Sequence, residues 1–248
     1  MKAQIKISTT DTALCLQICR PDKRNALTPG MYYALTAGIS AADADENIRA
    51  IILYGIDGCF TSGNDLWNFS NGPSLDYEYP HNTFLDALAN AQKPVIAIVD
   101  GFALGIGTIM LFHCDFVYAS PDTRFSLPFV NLGLSPEGAT SYILPHLIGY
   151  QRAAEIIMLG EQFLSETAKE IGLVNHVVPA DELMSKALQT VEKLSTKSPD
   201  SIRQAKALLK RGMAESVQSA RVHELEVFNQ RLGSPEAMAA IEGFLNKR

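Results

Sequence analysis

Four short apolar runs recur along this chain: TALCLQIC (12–19), RAIILYG (49–55), PVIAIVD (94–100) and DFVYAS (115–120). The first alternates apolar and polar positions like a half-buried strand, and the second is bounded by turns as a buried strand would be. Helical stretches stand among them. Thr28 offers an N-cap and Pro29 the first helical position of a segment running to about Asp43. Further helices are expected around 81–91, after the glycine-rich DGFALGIG, around 138–147 and at 150–159, with a late strand in LVNHVV (173–178). Beyond Pro179 the pattern is wholly helical, with breaks near Pro199 and Ser234. Strands alternating with helices indicate an α/β core, and the helical tail an added layer or assembly arm. Residues 71–80, NGPSLDYEYP, read as a mobile loop.

At 248 residues the chain suits one large domain, or a core with a smaller appendage. A net charge of −6 disfavours broad binding to nucleic acid or to anionic membranes. Cysteines 15, 19, 59 and 114 form no CxxC pair and no metal-type spacing with histidine, so reduced thiols are expected and a metal is not. The N-terminus lacks a continuous apolar segment of the secretory kind, and no run approaches the ~20 residues of a membrane span. A soluble, cytoplasmic protein is the expectation.

Glu137 is the only carboxylate between Arg124 and Gly149, in RFSLPFVNLGLSPEGATSYILPHLIG. Two readings stand for it. An acid on a turn before a helix is stabilised by the helix dipole. A carboxyl in an apolar wall has its charged form disfavoured, which suits proton transfer near neutral pH. The turns CFTSGNDL (59–66) and GFALGIG (101–107) also read two ways. Their glycines could serve tight turns alone, or free two backbone N–H groups to hold an oxyanion. Gly105 and Gly107 begin a GxGxxG-like string, but Met110 stands third and no ribose-reading acid follows. There is no P-loop, and Ser62 beside Gly63 lacks the GxSxG elbow of a serine hydrolase. His81, His113, His146, His176 and His223 are scattered, and His113 reads as a satisfied core residue.

RPDKRNAL, CFTSGNDL, KPVIAIVDGFALGIG, CDFVYAS and LGLSPEGATSYILPHLIG, in this order over about residues 14–178, resemble the enoyl-CoA hydratase/isomerase (crotonase) superfamily. The resemblance implies a spiral of ββα units, residues 1–195, and a helical trimerisation region, residues 196–248. It implies an acyl-CoA thioester as substrate, with coenzyme A part of that substrate and no separate cofactor, and a homotrimer or dimer of trimers. Carried over by motif, the enolate-stabilising N–H groups are those of Asn64 and Ile106. The acyl-CoA loop is Ser62, Gly63, Asn64, Asp65 and Leu66, and Lys23 and Arg24 lie where the family meets the CoA phosphates. Ile109 and Phe129 occupy the positions of the two hydratase glutamates. Glu137 sits where the peroxisomal-type Δ3-Δ2-enoyl-CoA isomerases place their base, and their loop also reads SGNDL. The resemblance therefore implies double-bond isomerisation with Glu137 as proton shuttle. Its alternatives are other chemistry of the family (hydration, dienoyl isomerisation, thioester hydrolysis) or acyl-CoA binding without catalysis.

Overall fold

In the computed structural model, which describes residues 4–56, 58–68 and 79–246, the apolar runs become neighbouring strands. β1 (Ile5–Thr9) and β2 (Ala13–Ile18) form a hairpin, α1 (Pro29–Ala44) follows, and β3 (Ala50–Tyr54) lies parallel to β2. After α2 (Pro80–Asn90) come β4 (Val95–Val99), β5 (Phe102–Leu104) and the single turn of α3 (Ile106–Ile109). β6 (Phe116–Ala119) and β7 (Arg124–Ser126) precede α4 (Thr140–Ile148) and α5 (Tyr150–Leu159). β8 (Phe163–Leu164), α6 (Ser165–Glu170) and β9 (His176–Val177) complete the strands, and α7 (Leu183–Ser195), α8 (Pro199–Arg211), α9 (Ala214–Leu232) and α10 (Pro235–Leu245) close the chain. The larger sheet has six strands in the order β1-β2-β3-β4-β6-β9, parallel except for the first pair. A smaller sheet, β5-β7-β8, carries the glycine turn onward.

Strand periodicity divides the large sheet into two buried faces. Leu14, Leu16, Ile51, Leu53, Val95, Ala97 and Val117 point toward α1 and α2, where Met31, Leu35, Ile39, Phe84 and Leu88 meet them. Cys15, Ile52, Ile96, Ile98 and Tyr118 point the other way, against Leu183, Ala187 and Val191 of α7. A one-residue slip of any inner strand would exchange the two faces, so this register is strongly specified. Each fully buried Leu, Ile or Val contributes roughly 1.5–3 kcal/mol toward holding it.

The expected α/β core with a helical C-terminal region is therefore present. Both expected breaks in the tail are capped: Ser198 accepts from the Ser201 N–H (3.3 Å) and Ser234 from the Ala237 N–H (3.2 Å), each followed by Pro at the first helical position. Thr28, by contrast, makes no side-chain cap, and α1 starts on Pro29 without one. The late strand is only His176–Val177, and the helix after GFALGIG lasts one turn before tightening into a 3₁₀ turn over Met110–His113. Most of the loop expected at 71–80 lies outside the described residues. β1, β5, β7 and β8 escape the sequence reading because they are short or largely exposed.

Candidate active site

The turn after β3 and the turn after β4 are joined by a parallel bridge between Thr61 and Ala103. Thr61 N–H donates to the Phe102 carbonyl (2.9 Å) and Leu104 N–H to the Thr61 carbonyl (3.1 Å). Asn64 and Ile106 each lie the same short step beyond a bridge partner. Gly63 holds φ +96°, and a Cβ there would stand 2.8 Å from the Leu104 carbonyl oxygen. Among the described residues neither the Asn64 nor the Ile106 N–H makes a hydrogen bond, and both residues line one pocket of about 660 Å³. Two free amide donors at a pocket wall can stabilise developing negative charge on an oxygen.

The RPDKRNAL segment braces this wall. Asn25 is fully buried with φ +57°; its amide donates to the carbonyls of Cys59 (2.8 Å) and Phe60 (3.1 Å), and its Oδ1 accepts from Arg20 N–H (2.7 Å). Arg20 in turn pairs with Asp65 at 2.7 Å. Tyr32 of α1 donates its hydroxyl to Asn64 Oδ1. Burial, and secondarily the charge of Glu137, hold that phenol well above its ordinary pKa, so it stays a donor.

Glu137 is buried at the end of the loop leading into α4 and lines the same pocket. The backbone just after it is strained: Ala139 has φ +65°, a left-handed conformation that costs a residue with a Cβ about 1–2 kcal/mol. Glu224 of α9 holds it there, accepting from Ala139 N–H (2.6 Å) and Ser141 N–H (2.7 Å). Desolvation raises the Glu224 pKa, and those two amides offset part of the rise. His113 Nε2 lies 3.0 Å from the Gly138 carbonyl, which makes Nε2 the protonated nitrogen, and burial pushes this imidazole down to about 4. The core role expected of His113 is therefore met.

The pocket gathers Arg24, Ser62, Gly63, Asn64, Asp65, Leu66, Ile106, Phe129 and Glu137, all expected site residues. Lys23 and Ile109 do not line it. The Lys23 carbonyl accepts from Ala26 N–H (2.9 Å), whereas Ile109 is fully buried behind Gly138. The tail contributes Phe228, Phe244 and Leu245 to the lining. One polar neighbour of Glu137 went unmarked by sequence reasoning. His81, in the first turn of α2, is fully buried with Nε2 3.2 Å from Glu137 Oε2, out of line for a hydrogen bond. Only the alternation of short motifs is readable locally; nothing near His81 in sequence signals that it meets Glu137.

The sequence profile of the enoyl-CoA hydratase/isomerase family matches residues 9–248. The chain belongs to this family. Among relatives of this chain, human enoyl-CoA delta isomerase 2 is 29% identical over 249 residues, 98% of this chain. The chain spans less than two thirds of that relative and of its rat counterpart, 63% and 60% of their lengths. The 2,3-dehydroadipyl-CoA hydratase of Escherichia coli K12 is also 29% identical, covering 99% of this chain and 97% of that one. Of solved structures, Pseudomonas aeruginosa OdaA superposes with TM-score 0.95 at 37% identity, over 98% of both chains. An enoyl-CoA hydratase/isomerase from Pseudoalteromonas atlantica gives 0.94 at 34%, over 99% of this chain and 98% of that one. The fold is thus the crotonase fold, and both isomerases and hydratases stand among the chain's relatives at about 29% identity. Among the described residues no helix is long and apolar enough to cross a membrane.

Proposed function

We propose that this enzyme moves the double bond of a 3-enoyl-CoA into conjugation, giving the 2-enoyl thioester. The observation that carries the reading is the acid content of the pocket. Among the described residues its lining carboxylates are Asp65 and Glu137, and Asp65 is already paired with Arg20 at 2.7 Å; Asp76 and Glu78 lie outside the described residues. Glu137 is left, among the described residues, as the lining carboxylate free to move a proton. The thioester oxygen accepts from the Asn64 and Ile106 N–H groups, while Arg24, at the pocket rim, and Lys23 meet the CoA phosphates. Glu137 takes an α proton, the C–H electron pair enters a dienolate spread between that oxygen and the γ carbon, and the carboxyl returns the proton to the γ carbon. Hydration would need one group to activate water and another to protonate the α carbon. Ile109 and Phe129 stand where hydratases carry those acids, and Phe129 presents a dry wall to the product.

The test supplies purified protein with a 3-enoyl-CoA and, separately, a 2-enoyl-CoA. Conjugated product should grow from the first, and the second should not be hydrated. Glu137→Gln should lower the isomerisation rate about 10²–10⁴-fold, the range of a lost acid–base group. Near-full activity in that variant would remove Glu137 from the role. A homotrimer or dimer of trimers is part of the same proposal, and a monomer by light scattering would remove it.

A further inference from the structure

His81 takes no part in the steps above, yet its Nε2 lies 3.2 Å from the carboxylate of their base. Any imidazole carries a hydrogen on at least one nitrogen. Among the described residues neither nitrogen has an aligned partner, although the ring is fully buried. Buried polar atoms are nearly always paired, so an orphan calls for a reason.

The surroundings hold the ring and the carboxylate at their separation. Tyr79 meets the imidazole edge-on, centroids 5.2 Å apart, and Tyr32 lies tilted at 6.2 Å. Arg221 of α9 anchors α2 by pairing with Asp86 and donating to the Asn82 carbonyl (3.0 Å). On the next turn of α9, Glu224 anchors the loop of Glu137 through the Ala139 and Ser141 amides. One helix face therefore fixes the backbone on both sides of the pair. What remains open is a side-chain rotation that would bring Nε2–H into line with Oε2. Catalytic hydrogen bonds that are misaligned in an empty site commonly tighten when substrate binds.

Glu137 lines the pocket and His81 does not. We infer that His81 is the positioning residue for Glu137: with substrate bound, Nε2–H donates to Oε2 and turns Oε1 toward the α and γ carbons. Both proton movements then use one oxygen. The α proton arrives on Oε1 as the dienolate forms and leaves Oε1 for the γ carbon, while His81 keeps its own proton throughout. The inference rests on Glu137 being the base of the proposed isomerisation.

Three variants separate the two ideas, each assayed for kcat and KM on a 3-enoyl-CoA and for thermal stability. His81→Leu should lose about 10–100-fold in kcat, the range found when orienting partners of metal ligands are removed, with KM within about twofold. His81→Gln, whose amide N–H reaches near the Nε2 position, should recover most of that loss. Glu137→Gln should be far weaker than both. If Glu137→Gln is inactive while His81→Leu keeps full kcat, positioning by His81 is wrong and the base stands. An active Glu137→Gln overturns the base and this inference with it. Equal loss in His81→Leu and His81→Gln, with lowered stability in both, shows a packing role and also overturns it. Should His81→Leu fail to fold, His81→Asn, whose amide reaches only the Nδ1 position, takes its place and should stay low where His81→Gln recovers.

Discussion

The proposed oxyanion side of the pocket and the proposed proton-transfer side are made from different materials. Asn64 and Ile106 present backbone amides, set by glycine conformations and by the Thr61–Ala103 bridge. Glu137 and His81 present side chains from separate elements, held apart and together by Arg221 and Glu224 of a third. A backbone donor has no rotamer to lose, so a local turn suffices to fix it. A side-chain pair has several, and needs buried braces from distant parts of the chain. The amide side should therefore fail through local geometry, and the acid–base side through loss of tertiary packing.

After the Glu137→Gln loss, the largest expected effect tests the amide side. Gly63→Ala forces a Cβ to 2.8 Å from the Leu104 oxygen at φ +96°, which turns the peptide bearing the Asn64 N–H. Isomerisation kcat should fall about 10²–10³-fold, the scale of one lost oxyanion donor. A rate within tenfold of wild type would show that the turn adapts and that the contrast between the two sides is overstated.

The next tests the bracing of the Glu137 loop through His113. Its native value of about 4 lies below the ordinary 6.5, so it contributes stability above pH 6.5 that disappears as pH falls toward 4. A shift of that size corresponds to roughly 3 kcal/mol. Urea unfolding from pH 7 to pH 4 should show this loss, and His113→Gln should flatten it by keeping a donor that cannot charge. Parallel pH profiles for the two proteins would show that His113 is not the group responsible.

The smallest effect concerns Glu224. Glu224→Gln exchanges one acceptor oxygen for an NH₂ facing the Ala139 and Ser141 amides, at a cost of about 1–3 kcal/mol. Because burial raises the native pKa of Glu224 above 4.5, the wild-type protein gives up stability as pH rises past that value. The gap between variant and wild type should therefore narrow from pH 4 to pH 7. A gap that widens instead would mean that the amides outweigh desolvation.

How far each side was legible in the sequence follows the same division. β2, β3, β4 and β6 could be read from runs such as RAIILYG because a strand buried on both faces leaves an apolar signature wherever it lies. Gly63 and Gly105 marked their turns because positive φ demands glycine locally. The Glu137 segment stood out for its isolation among apolar residues. His81 did not, since nothing in PHNTFLDAL distinguishes a core histidine from one aimed at a carboxylate on another element. Asn25 was similarly hidden inside a loop whose cations, Lys23 and Arg24, drew the functional reading. Arg221 and Glu224 looked like ordinary charges on a helical tail, because only packing turns them inward.

The two glycine turns also bear on how the enzyme can be altered. A Cβ on Gly101 would collide with the Gly58 carbonyl, one on Gly63 would press on Leu104, and one on Gly107 would stand 2.6 Å from Thr61 Cγ2. At Gly101 and Gly63 backbone lies against backbone with no side chain between to absorb a change, and at Gly107 the contact is the buried Thr61 side chain. The turns therefore behave as one machined part that mutation can break but hardly adjust. Under the proposed function, retuning for a different acyl chain would start at Phe228, Phe244 and Leu245, where the tail lends side chains to the pocket.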